Sequence, residues 1–113
     1  MAREIIHVQV GQCGNQIGYS FWSNIKQEHL INENGTFEGK LDTNKDNMRL
    51  DKIDAYYKEI SPYKFIPRAC LIDLEPSIID NIQASPIGKS FKPDNICVGS
   101  SDTTNNWFVF IYL

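Results

Sequence analysis

The sequence is poor in the features that define several classes of protein. Its 113 residues include only three cysteines, an odd number at wide spacing, which argues against a disulfide framework and against a zinc site. No window contains the roughly 20 apolar residues of a membrane-spanning helix. Positive charge is not in excess either. The formal net charge of −3 gives no reason to expect a nucleic acid or an anionic membrane as partner.

The start of the chain lacks the pattern of a secretory signal peptide. Charged residues interrupt residues 1–7 before an apolar stretch can develop. Reduced thiols in the cytoplasm are therefore expected. What is present is an ordinary globular composition, with 42% hydrophobic and 22% charged residues, in a chain of about the length of one small domain.

The first half of the chain predicts a strand, a helix and a loop. Residues 5–10 form a short β-branched apolar run that is typical of a buried strand in a parallel sheet. Apolar residues then recur at four-residue steps, which predicts a helix whose buried face carries Ile17, Phe21 and Ile25. The polar stretch 31–51 is predicted to be a long surface loop.

The second half predicts two further strands with a helix between them. Residues 50–60 are predicted to form a short helix, residues 65–74 a second strand and residues 96–98 a third. Ser77 is the candidate cap of the helix between these strands. The order of strands and helices is that of the front half of a doubly wound, Rossmann-like α/β domain with a parallel sheet.

The turn after the first strand is the strongest local candidate site. Gly11, Gln12 and Cys13 open the first helix, where free backbone N–H groups and the helix dipole favour a phosphate. The motif is neither a P-loop nor the dinucleotide fingerprint. The alternative interpretation is a tight turn with close helix packing.

A second candidate site follows the second strand. Asp73 and Glu75 lie at its carboxyl end, where open α/β sheets place their ligands. A carboxylate there can hold Mg²⁺ against the phosphates of a nucleotide. The alternative is a loop-capping or solvated acidic pair. The chain shows no pair of nucleophile and base.

Taken together and in order, several motifs resemble the amino-terminal part of tubulins. The matching segments are residues 3–7, 11–18, 66–69, 73–76, 91–95 and 105–107. Pairs such as Phe21-Trp22 and Tyr56-Tyr57 are most similar to β-tubulin. The extra residue before Arg3 makes γ-tubulin the second choice.

The resemblance implies a fold, a function and a site. Residues 1–113 are expected to be part of a tubulin GTP-binding domain, in a β-like subunit that polymerises with α-tubulin and other tubulin subunits into the microtubule cytoskeleton of the cytoplasm. It implies that Gln12, with Gly11 and Cys13, lies in the first phosphate-binding loop. It places Glu75 as the residue at the Mg²⁺, with Asp73 nearby, and Asn105 at the nucleotide. It assigns no catalytic residue and leaves GTPase activity open, because hydrolysis in this family needs a neighbouring subunit.

Two departures from the family pattern affect these expectations. The Gly-Ala-Gly that precedes Asn-Asn-Trp in tubulins is replaced by Asp102-Thr103-Thr104, which adds like-charge repulsion and two stiff β-branched residues beside the terminal phosphate. Residues 108–113 form an apolar tail in place of a polar helix start. A truncated or misread product that binds GTP weakly or not at all is therefore expected. An interaction module that binds no nucleotide remains the alternative.

Overall fold

The computed structural model describes residues 3–40 and 43–99. Within them the helices and strands follow one another as β1 (His7–Val10), α1 (Gly11–Glu28), α2 (Asn44–Lys52), β2 (Tyr57–Ser61), β3 (Lys64–Pro67), β4 (Ala69–Asp73), α3 (Pro76–Ala84) and β5 (Ile96–Val98). The predicted α/β class with a parallel sheet is confirmed. The apolar tail 108–113 lies outside the described residues.

Three strands form the parallel sheet, with β4 in the centre between β1 and β5. Val10 at the end of β1 pairs with Ile72, and Asp73 at the end of β4 pairs with Val98. The carboxyl ends of all three strands therefore lie along one edge of the sheet. That edge is where the chain leaves β1 for α1 and leaves β4 for α3.

Helix α1 packs on the sheet through a face that differs from the predicted one. Its buried residues are Asn15, Gly18, Trp22 and Ile25, whereas Ile17 is 64% exposed. The predicted face is therefore wrong at Ile17. The side chain of Gln9 occupies the space where Gly18 would carry a Cβ, so the helix meets the sheet along the line of Gly18. Ile17 lies one position, about 100°, round the helix.

The core beside α1 is rich in aromatic rings. Trp22, Tyr57 and Phe65 are each only 2% exposed. The ring of Trp22 meets Phe21 and Tyr57 edge to face, with centroids 5.2 and 5.4 Å apart. Since Tyr57 is the first residue of β2, this cluster joins the helical layer to the neighbouring hairpin.

The predicted loop over residues 31–51 contains regular structure. Helix α2 begins at Asn44, where the hydroxyl of Thr43 accepts a hydrogen bond from the N–H of Asp46. The predicted helix over residues 50–60 is wrong, because α2 ends at Lys52, a short 3₁₀ turn follows, and Tyr57 begins a strand. Antiparallel pairing of β2 with β3 overrides the apolar spacing that suggested a helix.

The predicted second strand divides at Arg68 into β3 and β4, which belong to different sheets. The N–H of Arg68 donates to the carbonyl of Tyr56, and its guanidinium contacts Asp54. The third strand, residues 96–98, lies where it was predicted. Helix α3 ends at Ala84, but its cap is Glu75 and not Ser77, because the Glu75 carboxylate accepts a hydrogen bond from the N–H of Ser77.

Candidate functional site

The turn between β1 and α1 depends on the conformation of Gly11. Its φ of +77° lies in the left-handed region, which residues with a Cβ adopt only with strain. Among the described residues, no heavy atom outside the chain neighbours and the backbone of α1 lies within 4 Å of the place where a Cβ would be. Glycine is thus required here by the backbone and not by close packing against the described residues.

The first turn of α1 has no side-chain cap. Val10 occupies the capping position in an extended conformation, and its apolar side chain cannot accept a hydrogen bond. The first turn also contains no acidic residue, and Gln12 and Cys13 are exposed. The amide N–H groups at this end, together with the helix dipole, therefore favour an anion placed against the turn.

Asn15 holds this turn against the sheet, and sequence reasoning did not single it out as a site residue. The side chain is fully buried, and its amide donates to the carbonyl of Gly11 at 2.8 Å and to that of Ile72 at 3.1 Å. The start of α1 is thereby tied to the end of β4. The sequence offers one signal for this residue. Asn15 is polar and lies three positions before Gly18, so both fall on the face of α1 that packs on the sheet.

Asp73 and Glu75 occupy the adjoining turn, between β4 and α3. Asp73 is buried, and its Oδ1 accepts a hydrogen bond from the N–H of Glu75 at 3.2 Å. Its Oδ2 is buried with no hydrogen-bond partner among the described residues. Glu75 is half-buried, and its Oε1 caps α3 at 3.3 Å from the N–H of Ser77. The capping role foreseen as an alternative is therefore present, and it leaves oxygens on both carboxylates unengaged.

The described part of the chain contains no group of three or more His, Cys, Asp or Glu side chains that could by itself hold a metal ion. Mg²⁺ does not require such a group, because it is usually bound by one or two carboxylates together with phosphates and water. The unpartnered Oδ2 of Asp73 and the partly exposed carboxylate of Glu75 fit that donor set. The carboxylates alone would repel a phosphate, and a divalent cation bound between the carboxylates and the phosphate would offset this repulsion.

The structure brings most of the predicted site residues to one edge of the sheet. Gly11, Gln12 and Cys13 follow β1, and Asp73 and Glu75 lie at the end of its parallel neighbour β4. Asn105 and the departures at 102–104 lie outside the described residues.

Comparison with known proteins accounts for this arrangement. The profile of the Tubulin/FtsZ family, GTPase domain, matches residues 4–110. The chain belongs to this family, as its motifs predicted. It is 54% identical over 105 residues to the "Tubulin beta chain, nucleomorph" of Guillardia theta and 49% identical over 105 residues to the "Tubulin beta-3 chain" of Echinococcus multilocularis. Each match covers 93% of this chain and 23% of the relative, so the chain spans about a quarter of the length of these curated relatives.

Both of these relatives are β chains, which confirms the β-like resemblance drawn from the motifs. Among the described residues, none of the helices combines the length and apolarity needed to cross a bilayer.

Proposed function

We propose that this chain is the amino-terminal part of a GTP-binding, β-tubulin-like subunit of the microtubule cytoskeleton. The observation that carries the proposal is the uncapped start of α1 beside the Asp73 and Glu75 turn, on neighbouring parallel strands of a chain that the family profile matches from residue 4 to 110. Open α/β sheets bind ligands at such an edge.

Each residue has a separate role in this proposal. The N–H groups of Gly11, Gln12 and Cys13 hold phosphate oxygens. Glu75, supported by Asp73, faces the Mg²⁺ that accompanies the nucleotide. When bound, the ion supplies positive charge that offsets the negative charge of the phosphates. Asn15 keeps the phosphate turn at a fixed distance from β4.

The proposed partners are α-tubulin and other tubulin subunits, with the cytoplasmic cytoskeleton as the location. The similarity to tubulin β chains of Guillardia theta and Echinococcus multilocularis supports the assignment of tubulin partners. The chain covers 23% of each relative, so the activity of a complete subunit stays part of this proposal. We assign no catalytic residue to the described part.

The test is a titration of the purified chain with a fluorescent GTP analogue, with and without Mg²⁺. We expect weak, Mg²⁺-dependent binding with a dissociation constant above about 1 μM, since a tight site needs contacts to base and sugar as well as phosphate. Glu75→Gln should remove the dependence on Mg²⁺. Glutamine keeps an oxygen that can cap α3, so this variant should remain folded. Glu59→Gln, an exposed change of the same kind on β2, is the matched control.

The alternative function is an interaction module that binds no nucleotide. The replacement of small residues by Asp102, Thr103 and Thr104 favours it. Two results for a folded chain would support this alternative against the proposal. One is the absence of saturable binding of the GTP analogue, and the other is binding that neither Mg²⁺ nor Glu75→Gln changes.

A further inference from the structure

Away from the candidate phosphate edge, the hairpin of β2 and β3 borders a cavity of about 580 Å³. Four lysines line it: Lys58, Lys64, Lys89 and Lys92. The chain as a whole has 11 Lys and Arg against 14 Asp and Glu, so this concentration of one sign runs against the overall charge. We call this cavity the lysine pocket.

Strand geometry places two of the lysines and two isoleucines together. Lys64 and Ile66 are two residues apart along β3, so their side chains point to the same face of that strand. Ile60 lies at the bulge between Glu59 and Ser61 of β2, where the alternation is interrupted, and it lines the same cavity. Lys58 is the cross-strand partner of Ile66. Ile60 is 52% exposed. The two isoleucines form an apolar part of the lining, which we call the apolar floor, and the four lysines add positive charge to the same lining.

The lysines carry little compensating charge. Among the described residues that line the lysine pocket, none is acidic. Within the described ranges, Lys92 alone of the four forms a salt bridge, at 3.6 Å to Asp94, and both side chains are largely exposed. Exposed ion pairs of this kind contribute little. Glu59 follows Lys58 on β2 and so points to the face opposite to Lys58.

We propose that the lysine pocket binds a short acidic peptide segment that carries an apolar side chain. Carboxylates would pair with the ammonium groups, and the apolar side chain would cover Ile60 and Ile66. The cavity falls within the usual range of about 300–1,000 Å³ for binding pockets, which suits a few side chains. Because the rest of the chain is net negative, an acidic segment is directed to this face.

Features of the pocket argue against a phosphate as the natural ligand. The lining contains no arginine, the residue whose planar fork matches phosphate oxygens. Two helical turns at its wall, Gly88–Ser90 and Pro93–Asn95, have three residues each and are too short to supply a helix N-terminus. The hydroxyl of Ser90 is already directed to the carbonyl of Glu33 at 3.4 Å.

The experiment measures binding of a fluorescent peptide, in which several Glu residues flank one Leu, to the 113-residue chain. The test variant is Lys64→Gln with Lys89→Gln. The matched control is Lys26→Gln with Lys40→Gln, which removes the same charge away from the lysine pocket. All four lysines are at least partly exposed, so we expect every variant to fold. Circular dichroism checks this directly.

We expect the test variant to weaken binding about tenfold, as for the loss of two exposed ion pairs, and the control to change it less than twofold. Replacing Leu by Ser in the peptide should weaken binding as well, because the apolar floor loses its partner. Inorganic triphosphate at equal ionic strength should displace the peptide poorly.

Three results would overturn the proposal. One is equal weakening in the test and control variants, which would indicate diffuse charge attraction. Another is efficient displacement by triphosphate with no effect of the Leu-to-Ser change, which would indicate a phosphate site. The third is the absence of saturable peptide binding by the folded chain.

Discussion

Replacing Trp22 by alanine tests which face of α1 holds the helix to the sheet. Trp22 is 2% exposed and packs edge to face with Phe21 and Tyr57. Removing a buried aromatic side chain costs about 3–5 kcal/mol, and each edge-to-face pair accounts for about 0.5–1.5 kcal/mol beyond area burial. We therefore expect Trp22→Ala to lower the free energy of unfolding by about 4–5 kcal/mol, near the upper end of that range.

Such a loss is close to the whole stability of a small domain, about 5–15 kcal/mol in general. A milder change, Trp22→Phe, keeps an aromatic ring among Phe21 and Tyr57 and gives a graded series. It also removes the indole N–H, which is buried without a partner among the described residues. The matched control is Ile17→Ala on the same helix. Since Ile17 is 64% exposed, Ile17→Ala should lower the free energy of unfolding by less than about 0.5 kcal/mol.

Urea unfolding followed by far-ultraviolet circular dichroism measures all four chains, because tryptophan fluorescence changes when Trp22 is removed. With a slope of about 1–3 kcal/mol per molar urea, a loss of 4 kcal/mol moves the midpoint by more than about 1 M. The reasoning is refuted if Ile17→Ala costs as much as Trp22→Ala. That result would mean that α1 presents the face first predicted from its apolar spacing.

The remaining predictions concern packing and pH. Gly18→Ala places a Cβ against the Gln9 side chain and should lower the free energy of unfolding by about 1–3 kcal/mol. In a double-mutant cycle measured by urea unfolding, adding Gln9→Ala should recover part of this loss. Purely additive losses would contradict the contact. The pKa of Asp46 is held below its ordinary value of 3.8, mainly because its carboxylate accepts a hydrogen bond from the backbone N–H of Lys40 and also because it pairs with the guanidinium of Arg49. Its stabilising contribution is present above that value and lost as pH falls through the lowered pKa. The stabilities of wild type and Asp46→Asn should therefore begin to converge as the pH falls below 3.8 and should coincide only below the lowered pKa. A difference that persists there would argue against this.

The parts of the fold that local patterns determine were predictable from the sequence. The apolar run at residues 96–98 predicted a strand, and β5 lies there. The β2–β3 hairpin was missed because its turn lacks the usual glycine or asparagine. Tyr63 takes the left-handed conformation there, with φ of +60°, which is uncommon for a residue with a bulky side chain.

The candidate site was partly predictable for the same reason. The requirement for Gly11 follows from a tight turn between strand and helix, which is a local property. The role of Asn15 depends on the carbonyl of Ile72, 57 positions away in the chain. A contact between residues so far apart in the chain has no local sequence signature. The apolar periodicity of α1 instead predicted that Ile17 faces the sheet. The sequence predicted Ser77 as the cap of α3 and gave capping by the Asp73 and Glu75 pair only as an alternative, whereas the Glu75 carboxylate is the cap.

The position of β4 at the centre of the sheet has a consequence for the order of folding. His7 on β1 pairs with Ala69 on β4, 62 positions apart (69 − 7), whereas Tyr57 and Pro67 in the hairpin are only 10 apart (67 − 57). Loop-closure entropy makes the longer connection about 1.6 kcal/mol more costly. The hairpin is therefore expected to form early, and β1 to dock late. The phosphate turn at Gly11, which β1 and β4 together position, would be completed only in that step, once the chain has been synthesised through Asp73 at the end of β4.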